Sequence, residues 1–242
     1  MVKAVNRDFN QKSQFKNLRF ERKFIFQHLG LEDLIRNVVF TNSFGFEEIY
    51  TRRTVNNIYF DDNNFSFYKQ NVAGDERREK YRLRWYNDVF SEIQSPTLEI
   101  KRKYGEVGDK ISYKMDGFKA DLNNLNLDAV TDKIVHALKE KGHVYPISRL
   151  QSLFPALYNS YERRYFLSHC QHFRITVDFN MAFFNPHFQS NYRVADRSIH
   201  DIVLELKYGR EHDAESRILS QQIGARLSKN SKYVRGMDCI HS

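Results

Sequence analysis

The sequence predicts an α+β fold in which short antiparallel strands curl into a closed sheet, apolar side outward beneath helices and charged side inward. Three observations carry this reading. Charged residues recur at i, i+2 spacing in segment after segment, with large apolar residues at the positions between them, and a strand sends such alternate residues to opposite faces. Phe (20) and Tyr (14) are heavily used, which favours strands over a helical bundle. Only three stretches switch to helical periodicity.

Eight strands are expected. The first, Arg19–Phe26, puts Arg19, Glu21 and Lys23 on one face and Phe20, Phe24 and Phe26 on the other. A short helix over Leu31–Val38 follows, then a strand at Thr54–Asp61 and a turn at Ala73-Gly74-Asp75. Lys80–Asn87 sets Lys80, Arg82 and Arg84 against Tyr81, Leu83 and Trp85. Thr97–Tyr104 sets Glu99 and Lys101 against Leu98 and Ile100, and Asp109–Met115 completes a hairpin across Tyr104-Gly105. A second helix spans about Asp128 to Lys141, with Val130, Ile134, Val135 and Leu138 on one face and Gly142 as its stop. Ser160–Leu167 and His172–Asn180 are strands; the latter sets Arg174, Thr176 and Asp178 against Phe173, Ile175, Val177 and Phe179. Asn185–His200 reads as a long loop or lid. The eighth strand, Asp201–Tyr208, sets Glu205 and Lys207 against Ile202, Leu204, Leu206 and Tyr208. A third helix runs from about Ala214 to Leu227, N-capped by Asp213, with Ile218, Ile223 and Leu227 apolar.

Composition narrows the function. The chain carries 38 Lys+Arg against 30 Asp+Glu, a formal charge of +8, which suits an anionic partner. Cys170 and Cys239 form no C-x-x-C pair, and His169, Cys170 and His172 have no fourth ligand nearby, so neither a disulfide scaffold nor a zinc site is expected. Residues 1–16 read as a flexible leader without a signal peptide, and 17–242 as one domain. With no apolar run of ~18 residues, the chain is expected to be soluble and cytoplasmic, either free or peripheral to the inner face of a membrane beside a membrane-protein partner. There is no phosphate-binding loop of the G-x-x-x-x-G-K-[ST] type and no nucleophile elbow. Asp61 and Asp62 fit a strand-end turn better than a metal site. A nucleic-acid partner is not expected, because base-stacking aromatics belong on the basic face and here they lie mostly opposite it.

An inward charged face needs a ligand, since buried charges must be paired or coordinate something. The candidate inward cations are Arg19, Lys23, Arg82, Arg84, Lys101, Lys114, Arg163, Arg174, Lys207 and Lys232; the acids are Glu21, Glu99, Asp178 and Glu205. Cations exceed acids, and Arg suits bidentate phosphate contacts. A triphosphate or polyphosphate chain would neutralise many of them at once. The glutamates make sense as ligands of Mg²⁺ or Mn²⁺ bridging carboxylate and phosphate oxygens.

The ordered motifs Phe20-Glu21-Arg22-Lys23-Phe24, Asn57-Ile58-Tyr59-Phe60-Asp61, Arg82-Leu83-Arg84, Glu99-Ile100-Lys101, Tyr161-Glu162-Arg163, Arg174-Ile175-Thr176-Val177-Asp178, Leu204-Glu205-Leu206-Lys207 and Ser231-Lys232-Tyr233 cover nearly the whole chain. In this order they resemble the catalytic domain of the vacuolar transporter chaperone (VTC) complex, within the triphosphate tunnel metalloenzyme superfamily. The resemblance implies an eight-stranded antiparallel β-barrel tunnel with flanking helices. It implies a polyphosphate polymerase that moves the γ-phosphoryl of ATP onto inorganic polyphosphate, with a divalent metal. It carries phosphate-binding roles to Lys23, Arg82, Arg84, Lys101, Lys114, Arg163, Arg174 and Lys232, a hydroxyl-donor role to Tyr161 and a metal-ligand role to Glu205, with Glu99 and Glu21 as further candidates. Lys110 lies close enough to Lys114 to compete for its role. One departure stands out. The superfamily's hydrolases open with Glu-x-Glu-x-Lys, whereas Arg19 makes this motif Arg-x-Glu-x-Lys. The lost carboxylate disfavours a second metal with an activated water and favours phosphate as acceptor. A triphosphate hydrolase and a non-catalytic polyphosphate- or nucleotide-binding module are the alternatives.

Overall fold

A computed structural model describes residues 19–104, 107–122, 127–186 and 197–241. The expected leader, and residues 187–196 of the expected lid, lie outside the described residues. The remainder is α+β: one large antiparallel sheet, one two-stranded sheet and six α-helices among the described residues.

All eight expected strands are present, and several are longer than the alternation alone indicates. They are β1 (Arg19–Phe26), β2 (Phe46–Asp61), β3 (Arg77–Tyr86), β5 (Thr97–Tyr104), β6 (Val107–Lys114), β8 (Phe154–Ser168), β9 (Phe173–Phe184) and β11 (Ile202–Gly209). The short β4 (Ile93–Gln94) pairs with β7 (Lys119–Ala120), and β10 (Arg197–Ile199) pairs with β9. The main sheet runs β1-β11-β9-β8-β2-β3-β5-β6 with every pairing antiparallel.

The closed barrel is corrected here. β1 and β6 are the free ends of this order and do not pair with each other. The free edge of β1 is taken instead by the strip before the last helix: Phe24 bridges Leu227, and the Ser228 N–H donates to the Lys23 carbonyl at 2.8 Å. The sheet is nonetheless strongly curled. Lys101 on β5 lies within electrostatic reach of Glu21 on β1, and Lys80 on β3 within reach of Lys23.

The convex face is apolar and lies under helices. Beneath α3 (Leu127–Glu140) and α4 (Tyr145–Leu150), Leu83, Trp85, Leu98 and Ile100 pack with Val130, Ile134, Leu138, Ile147 and Leu150. At the other end of the sheet, Phe24, Ile175, Val177, Leu204 and Leu206 pack with Leu34, Ile35 and Val39 of α1 (Leu31–Leu34) and the π-helical turn Ile35–Val39, and with Leu219 and Ile223 of α5 (Asp213–Ile223). Each such aliphatic side chain contributes roughly 1.5–3 kcal/mol when fully buried. The third helix was expected to reach Leu227, but it ends where Gly224 turns left-handed (φ +68°). Its buried stripe is Leu219 and Ile223; Ile218 and Leu227 are exposed.

Two devices shape the concave side. In β9 a bulge opposite Ser160 and Glu162 places Asn180 at φ +50°, a region Asn tolerates better than most residues. Before it, Thr176 and Asp178 face inward; after it, Met181 and Phe183 do, so the lining changes from charged to apolar. Against that apolar part packs α6 (Lys232–His241). Tyr233 stacks on Tyr59 at 5.1 Å and donates to Asp61. At Gly236 a Cβ would stand 2.4 Å from Leu157 Cδ2 and 2.6 Å from Phe183 Cδ1, so only glycine permits this approach. Helix α6 thus stops one end of the concavity. Asp61 also accepts the Phe67 and Tyr68 N–H groups at 2.9 Å each, capping α2 (Ser66–Ala73), which is the turn role expected of it.

Candidate functional site

Strand pairing brings the inward residues into rows. Tyr59, Arg82 and Glu99 are cross-strand neighbours, as are Asn57, Arg84, Thr97 and Lys114, and as are Lys23, Glu205 and Thr176. Curling turns these rows toward one another and makes a continuous charge network. Arg82 Nε donates to Glu99 Oε2 at 2.6 Å, Lys110 Nζ to Glu99 Oε1 at 2.9 Å, and Arg84 Nη1 lies 3.8 Å from the same carboxylate. Arg84 Nε also donates to Asn57 Oδ1 at 2.8 Å, and its Nη2 to the Tyr161 hydroxyl at 3.1 Å. Arg163 grips the fully buried Asp178 with Nε and, at 2.7 Å, with Nη2. Lys232, at the start of α6, pairs with the same Asp178 and lies 4.8 Å from the centre of the Tyr161 ring.

Glu205 sits at the centre of a cation cluster: Lys207 at 3.1 Å, Lys232 and Arg163 at 3.5 Å, Lys23 at 3.7 Å. Lys23 also reaches Glu21 at 3.0 Å and the Asn230 carbonyl at 2.9 Å. Thr176 Oγ1 and Asn159 Nδ2 face the same interior, buried without a hydrogen-bond partner among the described residues.

The structure therefore gathers Lys23, Arg82, Arg84, Lys101, Arg163, Lys207, Lys232, Tyr161, Glu21, Glu99 and Glu205 on one concave face. Arg174 and Lys114 share that face but stand exposed toward the end away from α6. Arg19 opens β1, paired with Gly209. Sequence reading named Lys110 only as a competitor for the role of Lys114, and placed Lys80 on the basic face without giving it a role; the structure puts Lys110 on the Glu99 carboxylate. Lys80 Nζ donates to Ser231 Oγ at 2.8 Å. The expected partition of aromatics also fails on β2 and β8, where Tyr59, Tyr161 and Tyr165 face inward among the cations.

The family model of the VTC domain matches residues 12–241. The chain belongs to the VTC domain family. That membership supports a role connected with nucleotide or polyphosphate. No curated protein matches the chain. Among solved structures, a proposed adenylate cyclase from Vibrio parahaemolyticus is similar at a TM-score of 0.50 and 13% identity, over 93% of this chain and 99% of that one. It shares the fold. A chain of the Schizosaccharomyces pombe Mediator head module aligns at a TM-score of 0.46 and 6% identity, over 86% and 96% of the two chains.

The electrostatics of the concave face in this VTC domain are dominated by its cations. Burial works against the Glu205 carboxylate, yet Lys232, Lys207, Lys23 and Arg163 together hold it well below the usual range. Burial likewise opposes ionisation of Tyr161, and Arg163 and Arg84 outweigh it, pulling the phenol below its ordinary value. Two lysines move the other way. Burial, then Lys23 and Lys101, push Lys80 down to about 7; the Arg82 charge, then burial, push Lys101 down to about 7. Solvent reaches the Lys101 side chain, so the field of Arg82 leads there. Among the described residues neither amine makes an ion pair, and at Lys101 the charges of Glu21 and Glu205 offset only part of the repulsion.

A pH dependence follows. In the unfolded chain both lysines titrate near 10.5, so between about pH 7 and 10.5 the folded state binds fewer protons than the unfolded one. Their contribution to stability should therefore rise with pH across that window. Urea denaturation at pH 7 and pH 9 should show the rise in the wild type, a smaller one in the Lys80→Met, Lys101→Met double variant, and a smaller one in wild type saturated with tripolyphosphate, which restores charge to both amines. An unchanged rise in both cases would refute this account.

The residues present fit a divalent ion only together with a phosphate ligand. Among the described residues no cluster of three or more His, Cys, Asp or Glu exists. Glu205 and Glu21 influence each other's charge, and Thr176, register partner of Glu205, adds an unpartnered hydroxyl. Two carboxylates completed by phosphate oxygens and water suit Mg²⁺ or Mn²⁺. Glu99 is engaged by Arg82, Arg84 and Lys110, and would have to leave three cations to act as a ligand.

Proposed function

We propose that this VTC domain is a polyphosphate polymerase transferring the γ-phosphoryl group of ATP to inorganic polyphosphate. The observation that carries the proposal is the concave network itself, a set of Arg and Lys side chains in excess of its carboxylates, with Arg rather than a second Glu opening the first strand motif. Phosphoryl transfer requires positioning and neutralisation of spread-out charge more than a protein nucleophile. Arg82, Arg84, Lys101 and Arg163 are suited to clamp the triphosphate. Lys23 and Lys232, on the opposite wall around Glu205, are suited to hold the acceptor. An oxygen of the terminal acceptor phosphate forms the new P–O bond as the bond from the γ-phosphorus to the bridging oxygen breaks, and ADP leaves. A divalent ion held by Glu205 and Glu21 with the phosphates would neutralise charge on the transferred group. Arg174, Lys207 and Lys114, toward the open end, suit the chain entering or leaving.

The test is incubation with ATP and Mn²⁺, with and without a pyrophosphate primer, resolved on a polyphosphate gel. A ladder of long chains with stoichiometric ADP is the expected result. Orthophosphate without polymer would establish a hydrolase instead, and tight polyphosphate binding without turnover a binding module.

A further inference from the structure

The end of the concavity away from α6 carries an aromatic cluster with no part in the network described above. On β2, Tyr59 lies under α6, Asn57 meets Arg84, and Arg53 and Tyr50 follow toward the opposite end. On β3, Tyr86 stands two residues beyond Arg84 on the same face, roughly 7 Å further along the strand. On β8, Tyr165 stands two residues beyond Arg163. These side chains converge. The Arg53 guanidinium is 5.0 Å from the Tyr50 ring centre, 5.9 Å from that of Tyr165 and 6.0 Å from that of Tyr86. Tyr50 and Tyr165 meet edge to face at 5.6 Å, and the Arg163 guanidinium lies 5.9 Å from the Tyr165 ring centre.

Two properties distinguish this cluster from ordinary packing. Tyr50 and Tyr86 are 49% and 46% exposed, so the rings are largely open to solvent. Arg53 makes no ion pair among the described residues although Glu162 is close enough to bind its neighbour Arg52 at 2.7 Å. A cation held only by rings, at the mouth of an anion-binding concavity, offers a flat π surface and a spare charge together. A base-free polyphosphate would use the charge alone. A nucleotide uses both, since every nucleobase presents a π face that stacks on Tyr and on the Arg plane.

We infer that Tyr50, Tyr86, Tyr165 and Arg53 form a nucleobase clasp at the open end, which holds the base of a nucleoside triphosphate while its phosphates lie on Arg84, Arg163 and their neighbours. The inference rests on the triphosphate reading of the concave face and adds to it the residues that hold the base of the donor. Stacking does not read hydrogen-bonding edges, so the clasp accepts adenine and guanine alike.

The experiment compares ATP, GTP and tripolyphosphate binding by calorimetry, without metal, in wild type, Tyr86→Ala, Tyr50→Ala and Tyr86→Phe. Loss of one stacking partner should weaken ATP and GTP by roughly 5- to 100-fold. Tripolyphosphate should change by less than about twofold, and Tyr86→Phe should bind all three like wild type. Both alanine sites are exposed, which keeps folding out of the comparison. Equal weakening of ATP and tripolyphosphate, or no weakening of either, overturns the clasp while leaving the triphosphate reading intact. Failure of wild type to bind even tripolyphosphate overturns both.

Discussion

Glu205→Gln is expected to separate binding from turnover. In the unliganded protein this carboxylate offsets Lys207, Lys232, Arg163 and Lys23, all within 3.7 Å. Its replacement by a neutral amide frees those cations for an incoming anion. Tripolyphosphate measured without metal should bind about tenfold more tightly, equivalent to ~1.4 kcal/mol. Turnover of ATP with Mn²⁺ should fall at least ~100-fold, the scale on which a single preorganised electrostatic partner acts in other enzymes. The opposed signs make the test demanding, because a variant that merely unfolds loses both quantities. Near-normal turnover would remove Glu205 from the chemistry.

Asp178→Asn should have the largest effect on stability. Asp178 is fully buried and is shared by Arg163 and Lys232, the first on β8 and the second at the start of α6. Burial raises its pKa, but Arg163 and Lys232 overcome that and keep it ionised. The amide leaves two buried cations with Glu205 as their remaining partner. Breaking a buried pair from one side costs about 3–5 kcal/mol. In a chain of this size that corresponds to a fall in Tm of roughly 6–20 °C. Tripolyphosphate should restore more of the loss in the variant than it adds to the wild type, since it supplies the missing negative charge. A loss under about 1 kcal/mol in urea denaturation would show that the two cations find water or other partners at little cost.

The strands were legible because one face of each is apolar and the other charged. Where that contrast weakens, so did the reading. The first half of β2, Phe46–Arg53, is exposed at most positions and carries register shifts against β8, so it lacks clean alternation. The beginning of β8 is buried on both faces, against α3 and Trp85 on one side and α6 on the other, and shows no period of two. Helix α6 was missed for a related reason: its apolar stripe docks inside the concavity, and its first residue, Lys232, was read as part of a basic motif. The residues of the concave face were visible because clusters of Arg at alternate positions are rare on ordinary solvated strands. Their depth was not visible. Nothing local in Arg174 or Lys114 says that they stand toward the open end while Lys232, on a helix packed from the far end, reaches the middle. Nor could strand alternation reveal that the sheet stays open, because that depends on which segment claims the free edge of β1.

The open edge bears on how a long polymer could be handled. A ring of hydrogen-bonded strands encloses its cargo topologically, so a chain must enter end first and leave end first. Between β1 and β6 no ladder of backbone hydrogen bonds exists, and the two walls meet through side-chain charge, Lys101 acting on Glu21 and Lys80 on Lys23. Mobile ions, or the polymer's own phosphates, can satisfy those charges as the walls part. The strip 227–231 fills this seam, bonded to Lys23 on one wall and Lys80 on the other, so it is the piece that would have to move before an anion could pass sideways.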